Sequence, residues 1–271
     1  MNSRDAQDVI LRLLADGPFR AAALAGSSPL DSGQATVLSK VDHDGLERFG
    51  RFLCRHYYRE RIVHFYKYSR ALAPVTGRAP DAVLKTPAFS SLMPRLVLGD
   101  RASAQLVGDL LRHHLTADAD SIRVLVPYWD DLVAYQGVFF LSDALPASQS
   151  PAPFPARADT ASILRLEWDL PAVLPSLLRP FSSLPVPEKR TIRLLFARSL
   201  HGEVAVVRCT EALKDLLDNL TGEQDPGQLA ARLKIAPEVF QQTVARLEKM
   251  GAVVSQGSFS GSHLGSAAES S

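Results

Sequence analysis

The chain has 271 residues, of which 46% are hydrophobic, and its 30 Lys and Arg residues against 29 Asp and Glu give a formal net charge of +1. This length supports one or two domains, each with a full hydrophobic core. The near balance of charge provides no bulk attraction for nucleic acid or for an anionic membrane surface.

The sequence carries no targeting or membrane signal. Residues 1–8 lack the basic stretch followed by an apolar core that a signal peptide needs. No apolar run is long enough to span a bilayer. The two cysteines, Cys54 and Cys209, are therefore expected to be reduced thiols. These features predict a cytoplasmic protein without a membrane partner.

The N-terminal half has apolar residues at helical spacing, which predicts a helical bundle over residues 1–143. Asp44 and Asp100 are expected to cap two of the helices, and Pro127 either to lie in the first turns of a third or to break it into two. Phe49 and Phe52 are counted among the packed positions of the longest helix. The predicted helices are Arg4–Ala15, Asp44–Leu72, Pro80–Leu92, Arg101–Leu115 and Asp120–Ser142.

Residues 144–161 form a Pro-rich stretch that predicts an extended linker. A domain over residues 162–254 is expected to follow, and then a flexible tail over residues 255–271. Period-2 alternation predicts three strands in this domain, and helical spacing then predicts three helices. Thr210 and Asp225 are expected to cap the first two of these helices, and Ala252–Val254 to form a short closing strand. The strands are Ser162–Trp168, Thr191–Arg198 and Glu203–Cys209, and the helices are Thr210–Leu220, Pro226–Leu233 and Pro237–Met250. The predicted fold class is α+β, with a helical bundle followed by a β3α3 domain of winged-helix type.

Two known patterns compete for this domain. Gly227–Phe240, continued by Leu247–Val254, resembles the helix-turn-helix of winged-helix DNA regulators, and a transcriptional regulator is one alternative function. The helix that would enter the groove carries two cations and two carboxylates, and no Lys or Arg follows Val254. DNA affinity depends on neutralising phosphates, so the composition disfavours nucleic acid as a partner.

The full order of three strands and three helices resembles the peptide-recognition domain of ribosomal peptide maturation systems, whose simplest form is the pyrroloquinoline quinone chaperone. In that family the leader of a precursor peptide adds a strand beside the third strand and lies against the third helix. The resemblance implies a leader-pairing strand and three groove or core positions on the third helix. These residues are Glu203, Val204, Ala205, Val206, Val207 and Arg208 on the strand and Phe240, Val244 and Leu247 on the helix.

The layout of most of the chain resembles the partner subunits of multinuclear non-heme iron oxidases, the group that includes methanobactin maturation. It consists of a helical domain with a long helix rich in Arg and Tyr, the segment Tyr128–Gln136, a Pro-rich linker and a peptide-recognition domain. The resemblance implies a non-catalytic chain in RiPP natural-product biosynthesis that forms a heterodimer with a separate TIM-barrel oxidase. It further implies that the oxidase holds the iron, that this chain holds no cofactor, and that the precursor core presented to the iron contains cysteine.

The face that contacts the oxidase is predicted on the long helix, because Tyr and Arg are enriched at protein interfaces. Arg55, Tyr58, Arg59 and Tyr66 are the residues expected to make this contact.

No phosphate-binding glycine loop, zinc-spaced cysteine pair or nucleophile elbow is present. The set with the best metal-ligand spacing is His56, Glu60 and His64, which fall on one helix face and could be completed by a histidine of the next helix. A helical metalloenzyme is therefore a second alternative function. An ordinary ion-pair network on a polar helix face explains the same residues without a metal. Asp130 and Asp131 point in different helical directions and are expected at the surface.

Overall fold

The computed structural model describes residues 3–27, 31–39, 41–144, 152–199 and 201–255. The chain divides into two compact units, of which the first comprises Met1–Leu145 and Trp168–Lys189 and the second Pro146–Glu167 and Arg190–Ser271. Helices build the first unit, and a sheet with helices builds the second, as expected for the α+β class. Residues 145–151 of the predicted linker and all of the predicted tail except Ser255 lie outside the described residues.

The first unit has helices in the predicted regions, although Pro80–Leu92 divides into a 3-10 turn and a short helix and Asp120–Ser142 into two helices, and it adds short helices between them. Its helices are α1 (Ser3–Ala15), α2 (Gly17–Leu24), α3 (Ser32–Leu38), α4 (His43–Phe65), α5 (Lys67–Ala71), α6 (Ala73–Thr76), α7 (Pro87–Leu92), α8 (Arg101–Thr116), α9 (Asp120–Leu125), α10 (Trp129–Ser142) and α11 (Leu174–Leu177). Three 3-10 turns complete it, at Pro80–Lys85, Met93–Arg95 and Leu170–Ala172. No helix in the described part of the chain combines the length and the apolar character needed to cross a bilayer.

The long helix expected over 44–72 is broken at Tyr66, and this part of the prediction is wrong. Buried Gln136 stabilises the break, because its Oε1 accepts hydrogen bonds from the backbone N–H of Tyr68 (3.0 Å) and Ser69 (3.2 Å). These donors lie at the start of α5, where the helix itself offers them no acceptor. The start also differs, because the residue at the N-cap is Asp42 and not Asp44.

The second unit contains two small antiparallel sheets. Its strands are β1 (Ala156–Arg157), β2 (Ser162–Leu166), β3 (Ile192–Arg198), β4 (Val204–Arg208) and β5 (Val253–Val254). The order β2-β3-β4 forms one sheet, and β1 pairs with β5 in the other. The closing strand was expected from the sequence, but its partner β1 lies inside the predicted linker.

Three helices follow the sheet, namely α12 (Glu211–Asn219), α13 (Pro226–Arg232) and α14 (Pro237–Met250). The predicted caps are confirmed. Thr210 Oγ1 accepts from Leu213 N at 3.2 Å, and Asp225 Oδ1 accepts from the N–H groups of the first turn of α13. Gly251 ends α14 with φ at +79°, a conformation that glycine adopts without strain.

One face of the β2-β3-β4 sheet and the three helices enclose the core of the second unit. Leu195 and Ala197 of β3 contribute to this core from the sheet. The helices contribute Leu216, Leu217, Leu229, Ala230, Phe240, Val244 and Leu247. Their helical spacing explains why the sequence forms helices here, since one apolar stripe per helix is buried.

Residues 167–191 join β2 to β3, and most of this connection belongs to the helical unit. Its two ends meet where Asp169 N donates to Glu188 O at 2.9 Å. Two residues near the start of α10 hold it, because Tyr128 donates its hydroxyl to Pro185 O (2.8 Å) and Asp131 accepts from Trp168 N (2.9 Å). Asp131 is thus an anchor for this segment, a role that the sequence did not predict.

Candidate functional site

The strand predicted to pair with a peptide lies at an edge of its sheet. β4 pairs with β3 in an antiparallel register that runs from Leu194 opposite Arg208 to Arg198 opposite Val204. Within the described residues, β4 has no strand on its other side. An edge strand offers backbone donors and acceptors to an added strand.

The hydrogen bonds at the two ends of this ladder determine which backbone groups face outward. Cys209 N donates to Arg193 O, and Ser199 N donates to Glu203 O, each at 2.8 Å. Bonded and non-bonded pairs alternate along an antiparallel ladder, so the odd-numbered residues of β4 bond to β3. Val204 and Val206 therefore direct their N–H and C=O groups away from β3, toward the open edge.

The side chains beside this edge form an apolar shelf that the helices leave uncovered. Val207 lies opposite Leu195 in the register, and Ala205 lies opposite Ala197. Both β3 residues are fully buried against the helices, whereas Val207 is 38% exposed and Ala205 is half-buried. We call Ala205 and Val207 the β4 shelf.

The remaining strand residues lie at its ends. Glu203 precedes β4 in the turn, where its backbone N–H donates to Ser199 Oγ at 3.2 Å and its side chain is exposed. Gly202 in the same turn has φ at +87°, in the left-handed region that favours glycine. Arg208 ends the strand and is exposed.

The three positions predicted on the third helix lie in the core. Phe240, Val244 and Leu247 are buried, so of the two possibilities, groove or core, the structure places them in the core. The exposed face of α14 instead carries mostly polar and charged side chains, with Val239 and Ala245 among them. It comprises Glu238, Val239, Gln241, Gln242, Ala245, Arg246 and Lys249. Cations and carboxylates are interspersed on α14, which is not the concentrated positive surface that phosphate binding requires.

Of the four residues predicted to contact an oxidase, the structure leaves two at the surface. Arg55 and Arg59 are exposed on α4. Tyr58 and Tyr66 are each 1% exposed and pack edge-on against Phe89 and Phe140, so in this structure they are core residues. Burial raises the pKa of both tyrosines far above the usual range. The helical period alone could not distinguish the buried from the exposed side of α4, because aromatic residues lie on both.

The candidate metal ligands do not form a site. His56, Glu60 and His64 are all exposed on α4. His56 stacks on Phe52, and His64 lies edge-on to Phe65. Across the described residues, no group of three or more His, Cys, Asp or Glu side chains is arranged to hold a metal ion. The spacing i, i+4, i+8 aligns the three side chains on one face of the helix without making them converge on a point.

The neighbouring surface of α4 contains a groove that the sequence analysis missed. It has a volume of about 490 Å³, and its lining comprises Phe52, Arg55, His56, Arg59, Asp81, Leu84 and Lys85. Phe49 and Phe52, which were expected to be packed, are 50% and 60% exposed. The sequence did contain a signal for this exposure, because Phe49 and Phe52 fall outside the buried stripe of α4. That stripe is formed by Leu46, Cys54, Tyr58 and Ile62.

The two cysteines are both buried and free, and they lie in different units. Burial raises the pKa of Cys54 to about 11, which keeps its thiol protonated near neutral pH. Burial also raises the pKa of Cys209, whose Sγ lies 3.6 Å from Thr210 O. Neither environment is that of an activated nucleophile.

Comparison with known proteins assigns no family to the chain. No family model matches it, and no curated protein matches it. The conclusions about its function therefore depend on the sheet edge and the α4 groove.

Proposed function

We propose that this chain is a non-catalytic recognition subunit that binds the leader of a ribosomally made precursor peptide as an added strand on β4. The added strand pairs with the outward backbone groups of Val204 and Val206. Its side chains pack on the β4 shelf. The core of the precursor, which contains cysteine, is thereby held for a separate iron-dependent oxidase in a heterodimer.

The observation that carries this proposal is the coincidence of two features on one strand. Val206 offers backbone hydrogen bonds at the open edge, and its neighbour Val207 offers uncovered apolar surface. Main-chain bonds supply affinity in β-augmentation, and apolar surface beside the strand selects side chains. An exposed edge strand with apolar residues also promotes aggregation by edge-to-edge pairing, and a bound peptide strand would prevent this pairing.

The second part of the proposal assigns the chemistry to the partner. The oxidase is a TIM-barrel chain with a multinuclear iron site, and this chain supplies no metal ligand and no cofactor. Its exposed α4 surface with Arg55 and Arg59 is the proposed contact with the oxidase. The winged-helix arrangement of β2, β3, β4 and the three helices belongs to the same proposal.

A proline scan of the two sheet edges tests leader binding. Val206→Pro removes a donor that faces outward and leaves the β3–β4 ladder intact, so we expect the affinity for a leader peptide to fall by about tenfold to a hundredfold. Arg165→Pro is the matched control. Arg165 lies opposite Arg193, which bonds to β4, so its N–H faces the other edge of the sheet.

The leader peptides are synthetic N-terminal segments of small peptides encoded next to this chain, and their binding is measured by fluorescence polarisation. Equal affinity in the wild type and a folded Val206→Pro variant would show that no strand adds at β4. Equal losses in both proline variants would instead indicate a general effect on the sheet.

Metal analysis tests the division of labour. We expect the chain purified alone to contain no stoichiometric iron, and the complex formed on co-expression with a neighbouring oxidase to contain iron. Stoichiometric iron or zinc in the chain alone would overturn the proposal. Duplex DNA binding with a steep dependence on salt would identify a regulator instead.

A further inference from the structure

Two aromatic side chains, Phe52 and His56, line the groove on α4, and Phe49 stacks on Phe52 beside it. Phe49 and Phe52 stack with their ring centroids 6.1 Å apart, and Phe52 stacks on His56 at 6.0 Å. Both phenylalanines are at least half exposed. Leu84, in the 3-10 turn that packs against α4, adds a largely buried apolar side chain to the lining. Clustered apolar surface of this kind marks an interaction site more often than scattered single residues do.

The cations of the groove have no carboxylate partner within the described residues. Arg55, Arg59 and Lys85 line it, and Arg55 Nη2 donates a hydrogen bond to Ser90 Oγ at 3.1 Å. That bond orients the guanidinium without neutralising its charge. One turn earlier on α4, Arg48 and Arg51 are paired with Asp42 and Glu47. The groove therefore holds an excess of positive charge, with three cations against the single carboxylate of Asp81.

We propose that this groove docks a short acidic segment of a partner protein that carries an apolar anchor. The anchor packs on Phe52 and Leu84, and flanking carboxylates pair with Arg55, Arg59 and Lys85. Arginine presents a planar fork of donors that matches a carboxylate in two hydrogen bonds, which suits it to this contact. The identity of the partner, the oxidase, rests on the proposed function. The chemistry of the docked segment does not, because it is inferred from the groove alone.

Charge complementarity favours an acidic protein segment over a nucleic acid strand. A strand of nucleic acid needs a basic track along its backbone as well as stacking rings. Here Asp81 interrupts the cations inside the groove, and the arginines one turn earlier on α4 are already ion-paired, so no continuous basic track is present among these residues. Two or three carboxylates around one apolar side chain fit a single groove of about 490 Å³.

The test uses the full chain and a fluorescein-labelled probe, the amidated peptide Glu-Glu-Leu-Phe-Glu-Glu, with fluorescence polarisation as the measurement. Two control peptides replace either all Glu by Gln or the Leu-Phe pair by Ser-Ser. We expect Arg55→Glu with Arg59→Glu to weaken binding of the probe by about tenfold or more. The matched pair Arg70→Glu with Arg95→Glu makes the same charge change at exposed positions outside the groove, and we expect it to stay within about twofold of the wild type.

We expect Phe52→Ser to weaken binding of the probe at least as much as replacement of the Leu-Phe pair in the probe by Ser-Ser does. The absence of saturable binding up to about 1 mM probe, or equal losses in both arginine pairs, would overturn the inference. Displacement of the probe by oligothymidine would overturn it in favour of nucleic acid.

Failure of this inference and failure of the proposed function give different results. The groove variants should bind leader peptides with wild-type affinity, because β4 is unchanged in them. If the acidic probe binds and no leader does, the groove inference stands and the recognition-subunit proposal falls. If leaders bind at β4 and the probe does not bind, the recognition-subunit proposal stands and the groove inference falls.

Discussion

Val207 and Leu195 are cross-strand partners, yet Leu195 is fully buried while Val207 is 38% exposed. Neighbours on one face of a sheet usually share the same cover. The helices here stop one strand short of the edge. This difference in cover leaves the apolar shelf beside the outward backbone of Val206.

The shelf can be tested separately from stability. We expect Val207→Lys to change the free energy of unfolding by less than about 1 kcal/mol, because the side chain is already partly in water. If a leader packs on the β4 shelf as proposed, the same change should abolish leader binding, because it places a charge in that contact. Leu195→Ala is the contrasting variant and should cost about 2–5 kcal/mol. Urea unfolding measures the loss of stability, and fluorescence polarisation measures the loss of peptide binding. A strongly destabilised Val207→Lys variant would contradict the prediction that this position affects binding alone.

Gly251 should be among the least replaceable residues of the second unit. Its φ is +79°, and a Cβ there would lie 2.0 Å from Arg198 O. Gly77 has a similar φ of +67° with nothing within 4 Å of the same position, so Gly77→Ala carries the backbone strain alone. We expect Gly77→Ala to cost about 1–2 kcal/mol and Gly251→Ala clearly more, measured by thermal or urea unfolding. Equal costs would show that the chain relaxes around Arg198.

The thiol of Cys54 should affect stability at alkaline pH. Burial raises its folded-state pKa from 9.0 to about 11, so the folded state retains the proton that the unfolded state releases. The stability associated with this difference is fully present below pH 9 and is lost as the pH rises from 9 to about 11. We expect Cys54→Ala to flatten the decline of the unfolding free energy over that window. If the unfolding free energy of Cys54→Ala declined with pH as steeply as that of the wild type, groups other than Cys54 would cause the decline.

The anchors of the connection between β2 and β3 should be visible in hydrogen exchange. Asp131→Ala removes the acceptor of the Trp168 N–H, and Tyr128→Phe removes the donor to Pro185 O. Each loss should cost about 0.5–1.5 kcal/mol and speed amide exchange in residues 168–189. Asp130→Ala is the matched control, because Asp130 pairs with Arg123 at the surface. Faster exchange in all three variants alike would argue against a local anchor.

Local patterns predicted the elements of the second unit well, because each helix has its own cap and apolar stripe. Thr210, Asp225 and Gly251 act within a few residues of their position in the chain. The break at Tyr66 was not predictable in this way, since it depends on Gln136, which is distant in sequence. The exposure of Phe52 and the burial of Tyr58 likewise depend on which side of α4 its neighbours occupy. The strand β4 was predictable from the sequence. Which of its backbone groups face outward could be assigned only from its register with β3.

The connection between β2 and β3 limits how this protein can be taken apart. Leu166 and Ile192 pair directly, so β2 and β3 form a hairpin whose loop folds as part of the other unit. A cut at the Pro-rich linker would therefore release the sheet with Leu170, Leu174 and Leu177 stripped of their cover. It would also leave the helical fragment without them. To express the second unit alone, a tight Asn-Gly turn would have to replace this loop between β2 and β3, and the helical fragment would have to retain the loop.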